Sequence, residues 1–406
     1  MSKSPAVPQQ YNEAEYLTIL GFANEDPTVV VDMGNRLGKF TTNQPIIRGF
    51  NPTSFVLFEH ALAEVDEGTF KRLLRYHEGD KSHHLIGWRG RYFVIGEQAY
   101  SVDPNFKPRQ GRLKYSRDYY GLLFIRGLVE LFDGQIPEEI NAFLAHPPGD
   151  LEHTDALKRA VHGRWVFEVN GQRHQTTVIY TNTFDEIVGG VHNATDGIDG
   201  QLIQGNALEG NGPALVFDLG GGSLDIAYLK RDLSVDYDRG MVSHRIGVNT
   251  AMNSFKAAFD SRHAKLLTDA ENGIPRQVVI DIFMDANHIV SDAGADLDCT
   301  DLYQDAIAPI IREAAQAVRD FAGGFIGIRS VLLTGGGSAM VMDEINKHIF
   351  PRFADNGKVF TTDQPRRMVG ANVSGGLKIA KAMSVRSKAQ ADQWLRMQGY
   401  GQQTKR

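Results

Sequence analysis

The chain has 406 residues, 42% hydrophobic and 23% charged, an ordinary globular composition with length for two or three domains or one two-lobed molecule. A formal net charge of −6 argues against a general nucleic-acid-binding surface, and a single cysteine, Cys299, excludes an intrachain disulfide framework and fits a reducing cytoplasm. No apolar run of about 18 residues occurs and the polar N-terminus lacks a signal-peptide pattern, so neither a membrane span nor secretion is expected.

Residues 1–26 read as an N-terminal extension with a short ordered piece near Tyr16 to Phe22. Thr28 to Val31 is a buried-strand run that ends in Asp32-Met33-Gly34-Asn35, with Lys39 following. Residues 45–120 read as an inserted, mostly β subdomain. It contains a strand at Phe55 to Phe58 and a hairpin from His84 to Glu97 that turns at Arg89-Gly90. Lys107, Arg109, Arg112, Lys114 and Arg117 form a basic loop, either a solvated surface or a contact for an acidic neighbour. Asp118 to Phe132 carries apolar residues at helical spacing and stops at Asp133-Gly134. A strand over Ile140 to Leu144, a helix over Leu151 to Val161 and a hairpin around Asn170-Gly171 come next.

Gly189 to Pro213 is rich in Gly, Asn and Asp and is a poor helix former, with at most a short helix at Leu202 to Leu208. Beyond it, helices are expected over Asn249 to Phe259, Val278 to Ile289, Asp301 to Phe321 (the longest) and Met342 to Ile349. Val331 to Leu333 is a buried strand, Met368 to Met383 a small-residue helix, and residues 384–406 a polar tail.

The stretch that organises the chain is Ala214 to Ala227. A buried strand ends at Asp218, turns through Gly220, Gly221, Gly222 and Ser223, and returns as a second strand through Asp225. The glycines let backbone N–H groups approach an anion without a Cβ in the way, and a carboxylate at a strand end can hold a metal ion through its waters. Alone, this is also simply a Gly-rich hairpin with a turn Asp. The same strand–Asp–turn scheme at Asp32 indicates two related halves. Gly34 to Phe40 is not a P-loop, because it has three residues where that motif needs four and Phe40 where Ser or Thr would bind magnesium.

In order along the chain, Asp32-Met-Gly-Asn with Lys39, Asp218-Leu-Gly-Gly-Gly-Ser-Leu-Asp225, Leu333-Thr-Gly-Gly-Gly337 and Gly370 to Gly376 resemble the first phosphate loop, second phosphate loop, adenosine motif and second connecting helix of the actin superfamily. Gly90 to Ala99 and Gly247-Val-Asn-Thr250 are further similar to the ParM/StbA plasmid-segregation actins. The chain departs from them in its long N-terminal extension, in Asp185-Glu186 and in the Gly-rich segment after Gly189.

The resemblance implies an α/β, actin-like two-lobed fold of duplicated ribonuclease-H-like domains with nucleotide in the cleft. Lobe I would span residues 27–212, completed by a helix at 368–383, and lobe II residues 213–367. The ligands would be ATP, with GTP as the alternative, and Mg²⁺ held by Asp32 and Asp218 largely through water. Gly34, Asn35, Lys39, Gly220, Gly221, Gly222, Ser223, Asn249, Thr250, Gly335, Gly336 and Gly337 would bind the nucleotide. Asp185 or Glu186 would position the attacking water, with Asp218 assisting and Asp225 supporting the second loop. The implied function is a cytoplasmic ATPase that forms head-to-tail filaments and drives DNA segregation through a DNA-bound adaptor, without binding DNA or membrane itself. A small-metabolite kinase and an MreB-like cytoskeletal filament are the alternatives. A DnaK-type chaperone is not expected, since little chain follows Met383 to build a substrate domain.

Overall fold

The computed structural model describes residues 27–34, 37–44, 55–76, 84–96, 98–103, 114–197, 199–204, 206, 208–263, 273–285, 287–292 and 295–397. The expected piece near Tyr16 to Phe22, Asn35 and most of the basic loop lie outside them.

The first lobe is built on strands β1 (Thr28–Met33), β2 (Leu37–Thr42), β3 (Val56–Glu59), β4 (Leu62–Val65), β5 (His84–Trp88), β6 (Arg91–Ile95), β7 (Glu139–His146), β8 (Gly163–Val169) and β9 (Gln172–Asp185). They form one nine-stranded sheet in the order β3-β2-β1-β7-β9-β8-β5-β6-β4. Helices α1 (Glu67–Tyr76), α2 (Arg117–Phe132) and α3 (Thr154–Val161) belong to the same lobe, and α4 (Glu186–Thr195) leaves it directly from the end of β9. The second lobe carries β10 (Ala214–Leu219), β11 (Leu224–Leu229), β12 (Met241–His244), α5 (Val248–Arg262), α6 (Arg276–Met284), the two-stranded pair β13 (Ile289–Asp292) and β14 (Ala295–Asp298), α7 (Thr300–Ala322), β15 (Ser330–Thr334), α8 (Gly336–Met340) and β16 (Val359–Thr361). Its five-stranded sheet runs β12-β11-β10-β15-β16. The chain then returns as α9 (Ala371–Met397).

Both lobes repeat one local pattern. An antiparallel hairpin, β1–β2 or β10–β11, lies beside a parallel strand, β7 or β15. β1 and β10 are buried at every position, which is why their sequences are continuous apolar runs instead of alternating ones. Val29 and Val31 enter the core under α2, while Val30 faces a separate cluster with Phe143, Val373, Leu377 and Ala380 of α9. In the second lobe Leu215 and Phe217 face α5 and α7, whereas Ala214 and Val216 meet Ile187 and Val191 of α4. The helices α4 and α9 therefore lie between the sheets and cross each other.

Small residues permit that crossing. A Cβ on Gly375 would come within 1.7 Å of the Gly189 carbonyl oxygen, and one on Gly189 within 2.6 Å of the Asn372 carbonyl oxygen. Packing at this distance outweighs the poor helix propensity of Gly189-Gly190, so α4 runs straight through them. None of the described residues in Leu202 to Leu208, where a short helix is expected, is helical. Leu202 instead pairs with Asp196 in an isolated bridge, and Leu208 is buried.

Three other expectations shift. The helix expected from Val278 to Ile289 ends at Met284, where Asp285 turns extended, and Ile289 opens β13. At 27 residues α9 exceeds the 23 of α7, so the helix starting at Asp301 in the sequence reading is not the longest. α9 continues through Met397 because the segment after Met383 holds Ala, Lys, Arg and Gln with no Pro or Gly before Gly399. The hairpins at Arg89-Gly90 and Asn170-Gly171 form as expected, with positive φ at all four residues.

Candidate functional site

A cleft of about 960 Å³ opens where the two hairpin turns approach each other. From the first lobe come Gly34 and Lys39, with Glu186 from the first turn of α4. From the second come Asp218, Gly220, Gly221, Gly222, Ser223 and Asp225, with Asn249 and Gly335 to Gly337. The second-lobe turn is held rigidly by the chain that follows it. Gly220 N–H donates to the Ser223 carbonyl at 2.8 Å, and Val248 and Asn249 N–H groups donate to the Gly220 and Gly221 carbonyls at 3.2 and 2.9 Å. Gly335 has φ +84, and a Cβ there would lie 2.2 Å from Asp218 Oδ1, so this turn abuts the carboxylate itself.

Three carboxylates are buried beside these turns, of which Asp218 and Asp225 line the cleft while Asp32 lies behind Lys39. Asp32 and Lys39 occupy opposed positions on β1 and β2, with Lys39 Nζ donating to Asp32 Oδ2 at 2.6 Å. Asp218 and Asp225 are opposed in the same way on β10 and β11. Asp32 Oδ1, Asp218 Oδ2 and Asp225 Oδ1 are buried without a hydrogen-bond partner. Ser223 Oγ donates to the other Asp225 oxygen at 3.4 Å.

Several solved structures share this architecture. An archaeal actin homologue, Ta0583, superposes with TM-score 0.64 at 17% identity, covering 87% of this chain and 99% of that one. The actin-like protein Alp7A gives TM-score 0.67 at 13% identity over 90% and 99% of the two chains. A ParM from a 15-stranded filament of Clostridium botulinum gives 0.62 at 12% identity over 88% and 99%. The chain has the actin fold. No protein-family model matches it, and no curated protein matches it in sequence. One structure of the archaeal homologue is a complex with ADP.

Within this actin fold the cleft is electrostatically loaded. Burial pushes the Asp218 carboxyl up to about 6, with Asp32 adding to the rise and Lys39 opposing it. Burial, reinforced by Asp218, takes Asp225 to about 7. Glu186 is raised well above the usual carboxylate range by burial and by Asp32, against the pull of Lys114 and Lys39. For Lys39, burial lowers its pKa, but Asp32, Glu186 and Asp218 together outweigh that and leave it raised.

The adjacent acids Asp185 and Glu186 are separated by position. Glu186 faces the cleft, whereas Asp185 stands at the N-cap position of α4 outside it, with no side-chain capping bond and its carboxylate 3.6 Å from His146 Nδ1. Thr250 is exposed and does not line the cleft. Sequence reasoning passed over other walls. Arg276, Gln277, Ile280, Asp281 and Met284 share one face of α6, a helical spacing visible in the sequence but attached to no motif. Arg276 donates to Asn249 Oδ1. Asn372 reaches Asp218 from the first turn of α9. Lys114, read in the sequence as part of a basic loop, and Arg126, within the helix that follows, are buried and line the cleft.

Proposed function

We propose that the protein binds ATP with Mg²⁺ in this cleft, assembles head to tail into filaments and hydrolyses ATP to ADP and phosphate, after which the filaments come apart. The observation that carries this reading is the pair of glycine turns facing one cleft from opposite lobes, each beside a buried aspartate. An ADP complex of the archaeal homologue and the filament of the Clostridium ParM support it by analogy of fold.

The residues fit a magnesium ion. Asp32 Oδ1 and Asp218 Oδ2 are buried acceptors with no donor, which coordinated waters would supply. Among the described residues no group of three or more His, Cys, Asp or Glu forms a metal cage, which suits an ion that keeps most of its waters. Magnesium held there supplies charge neutralisation for the phosphate oxygens.

The remaining work falls to this chain. Gly34, Gly221 and Gly222 would present backbone N–H groups to the phosphates from the two sides, and Lys39 adds a positive charge to the β/γ region. Glu186, the acid that faces the cleft from the first turn of α4, accepts a proton in its ionised form as the water oxygen bonds to the γ-phosphorus; the bond to the β–γ bridging oxygen breaks and its electron pair leaves with ADP. Gly335 to Gly337 give the nucleoside a flat backbone wall. Bridging the lobes by nucleotide favours one closed form, and a heterologous contact between closed copies extends into an open filament. Cargo DNA would be engaged through a DNA-bound adaptor in the cytoplasm, since the net charge of −6 disfavours direct binding.

The test follows light scattering and phosphate release together after Mg-ATP is added, with electron microscopy of the same sample. A scattering rise above a critical concentration that decays as phosphate appears is the expected result. Concentration-independent turnover without polymer under any nucleotide would overturn the filament reading and direct attention to a metabolite phosphoryl acceptor.

A further inference from the structure

Helix α1 presents a face that the cleft does not use. Its inner side packs Phe70, Leu73 and Leu74 against Leu85 of β5 and Val94 of β6, with the Phe70 and Tyr92 rings 4.6 Å apart. The opposite side, repeating at three- and four-residue steps, carries Gly68, Lys71, Arg72, Arg75 and Tyr76 around a shallow depression of about 470 Å³. All three cations are exposed, and Tyr76 is 82% exposed at the end of the stripe. Glu67 pairs with Lys71 at 2.6 Å, but among the described residues neither Arg72 nor Arg75 has a carboxylate within ion-pair distance. The first-lobe wall of the cleft includes β3 and the end of β6 but no residue of α1, so this basic face looks outward.

The second lobe holds its counterpart. Residues 281–305 contain seven Asp and neither Lys nor Arg, more negative charge than the net −6 of the whole molecule. Asp296 and Asp298 flank half-buried Leu297 on β14 and are exposed, as are Asp301 and Asp305 at the start of α7. Asp301 pairs with Arg262 at 2.7 Å, whereas Asp305 has no cationic partner among the described residues. Ile289, opposite Asp298 on β13, is an exposed apolar group beside the acidic stripe, as Tyr76 is beside the basic one. The spacings also match. Lys71 and Arg75 stand one helical turn apart on α1, as Asp301 and Asp305 do on α7, so two helices laid side by side bring both pairs into register. Within one copy, among the described residues, no ion pair joins the two stretches. A nucleic acid is the less suited occupant of α1, because the acidic net charge repels a polyanion.

We propose that the basic face of α1 docks on the surface formed by Asp296, Asp298, Asp301 and Asp305 of a second copy of this chain. The two surfaces differ, so the contact is heterologous and propagates from copy to copy. Exposed ion pairs are individually weak, so the contact is salt-sensitive and gains strength where many copies repeat it. It goes beyond the filament reading above, since it requires neither nucleotide nor closure of the cleft.

The experiment uses the full chain without nucleotide, in sedimentation velocity over a concentration series at about 50 mM and about 500 mM salt. Self-association that weakens at least about tenfold at the higher salt is expected. A basic-face variant, Lys71→Glu with Arg75→Glu, and an acidic-face variant, Asp296→Lys with Asp305→Lys, should each lose it. All four positions are exposed and lie outside the cleft, so Tm and ADP affinity should keep their wild-type values. Mixing the two variants in equal amounts should restore association, because the reversed charges of one then face those of the other. The four substitutions combined in one chain should restore it too, which misfolded variants could not do.

A monomeric wild type at the lower salt overturns the contact. So does wild-type association in both variants, or no recovery in the mixture and the combined chain. A change in ADP affinity without a change in association overturns it by showing that the two stretches meet inside one copy. Loss of duplex-DNA binding in the basic-face variant, with association intact, assigns the face to nucleic acid instead. Absence of polymer with Mg-ATP overturns the filament reading separately and leaves a salt-dependent, charge-swappable association standing.

Discussion

Lys39 and Asp32 face each other across the β1–β2 pair, 2.6 Å apart, and neither has a place in the sheet core without the other. Lys39→Met leaves Asp32 buried and uncompensated, so stability is expected to fall by about 3 kcal/mol. Nucleotide affinity is expected to drop about a hundredfold with it. Urea unfolding and ADP calorimetry read the two effects. The double variant Asp32→Asn, Lys39→Met should recover most of the stability and none of the binding.

The separation of Asp185 from Glu186 gives a sharper functional test. Glu186→Gln is expected to slow phosphate release at least about a hundredfold while ATP still binds and polymer persists. Asp185→Asn, altered outside the cleft beside His146, should change turnover by less than about tenfold. Equal losses in the two variants would remove Glu186 from its assigned role.

A pH dependence follows from the second-lobe carboxylates. Asp218 and Asp225 are raised to about 6 and about 7 from 3.8. The native state therefore binds more protons than the unfolded chain between about pH 4 and pH 7, and stability falls as pH rises through that window. Ligand-free protein in chelator is expected to melt about 5 °C higher near pH 5.5 than near pH 8. Asp225→Asn should flatten this slope. Saturating Mg-ADP should flatten or reverse it, because the ionised carboxylates then have a cation to face.

The crossing of α4 and α9 is the mechanical link between the lobes. Gly375→Ala would force a Cβ to within 1.7 Å of the Gly189 carbonyl oxygen, contact with backbone that cannot rotate away. A loss of about 3 kcal/mol is expected in urea unfolding, with nucleotide affinity falling as the lobes separate. Wild-type stability in this variant would mean that the helices do not cross at these glycines.

Both glycine-turn hairpins, the buried strands and most helices were legible in the chain because each is a local pattern. An apolar run, an Asp at its end and glycines at a turn need no distant partner to be recognised. Gly189-Gly190 misled for the converse reason. Their propensity opposes a helix, and only the approach of α9 makes the missing side chains an advantage. The extent of α9, the exclusion of Thr250 from the cleft and the placement of Glu186 but not Asp185 on its wall also depend on where distant segments come to rest. Lys114 and Arg126 show this most plainly. In the sequence they belong to a basic loop and a helix beyond it, while the tertiary structure buries both on the wall of the same cleft, because the strands and helices that enclose them come from distant parts of the chain.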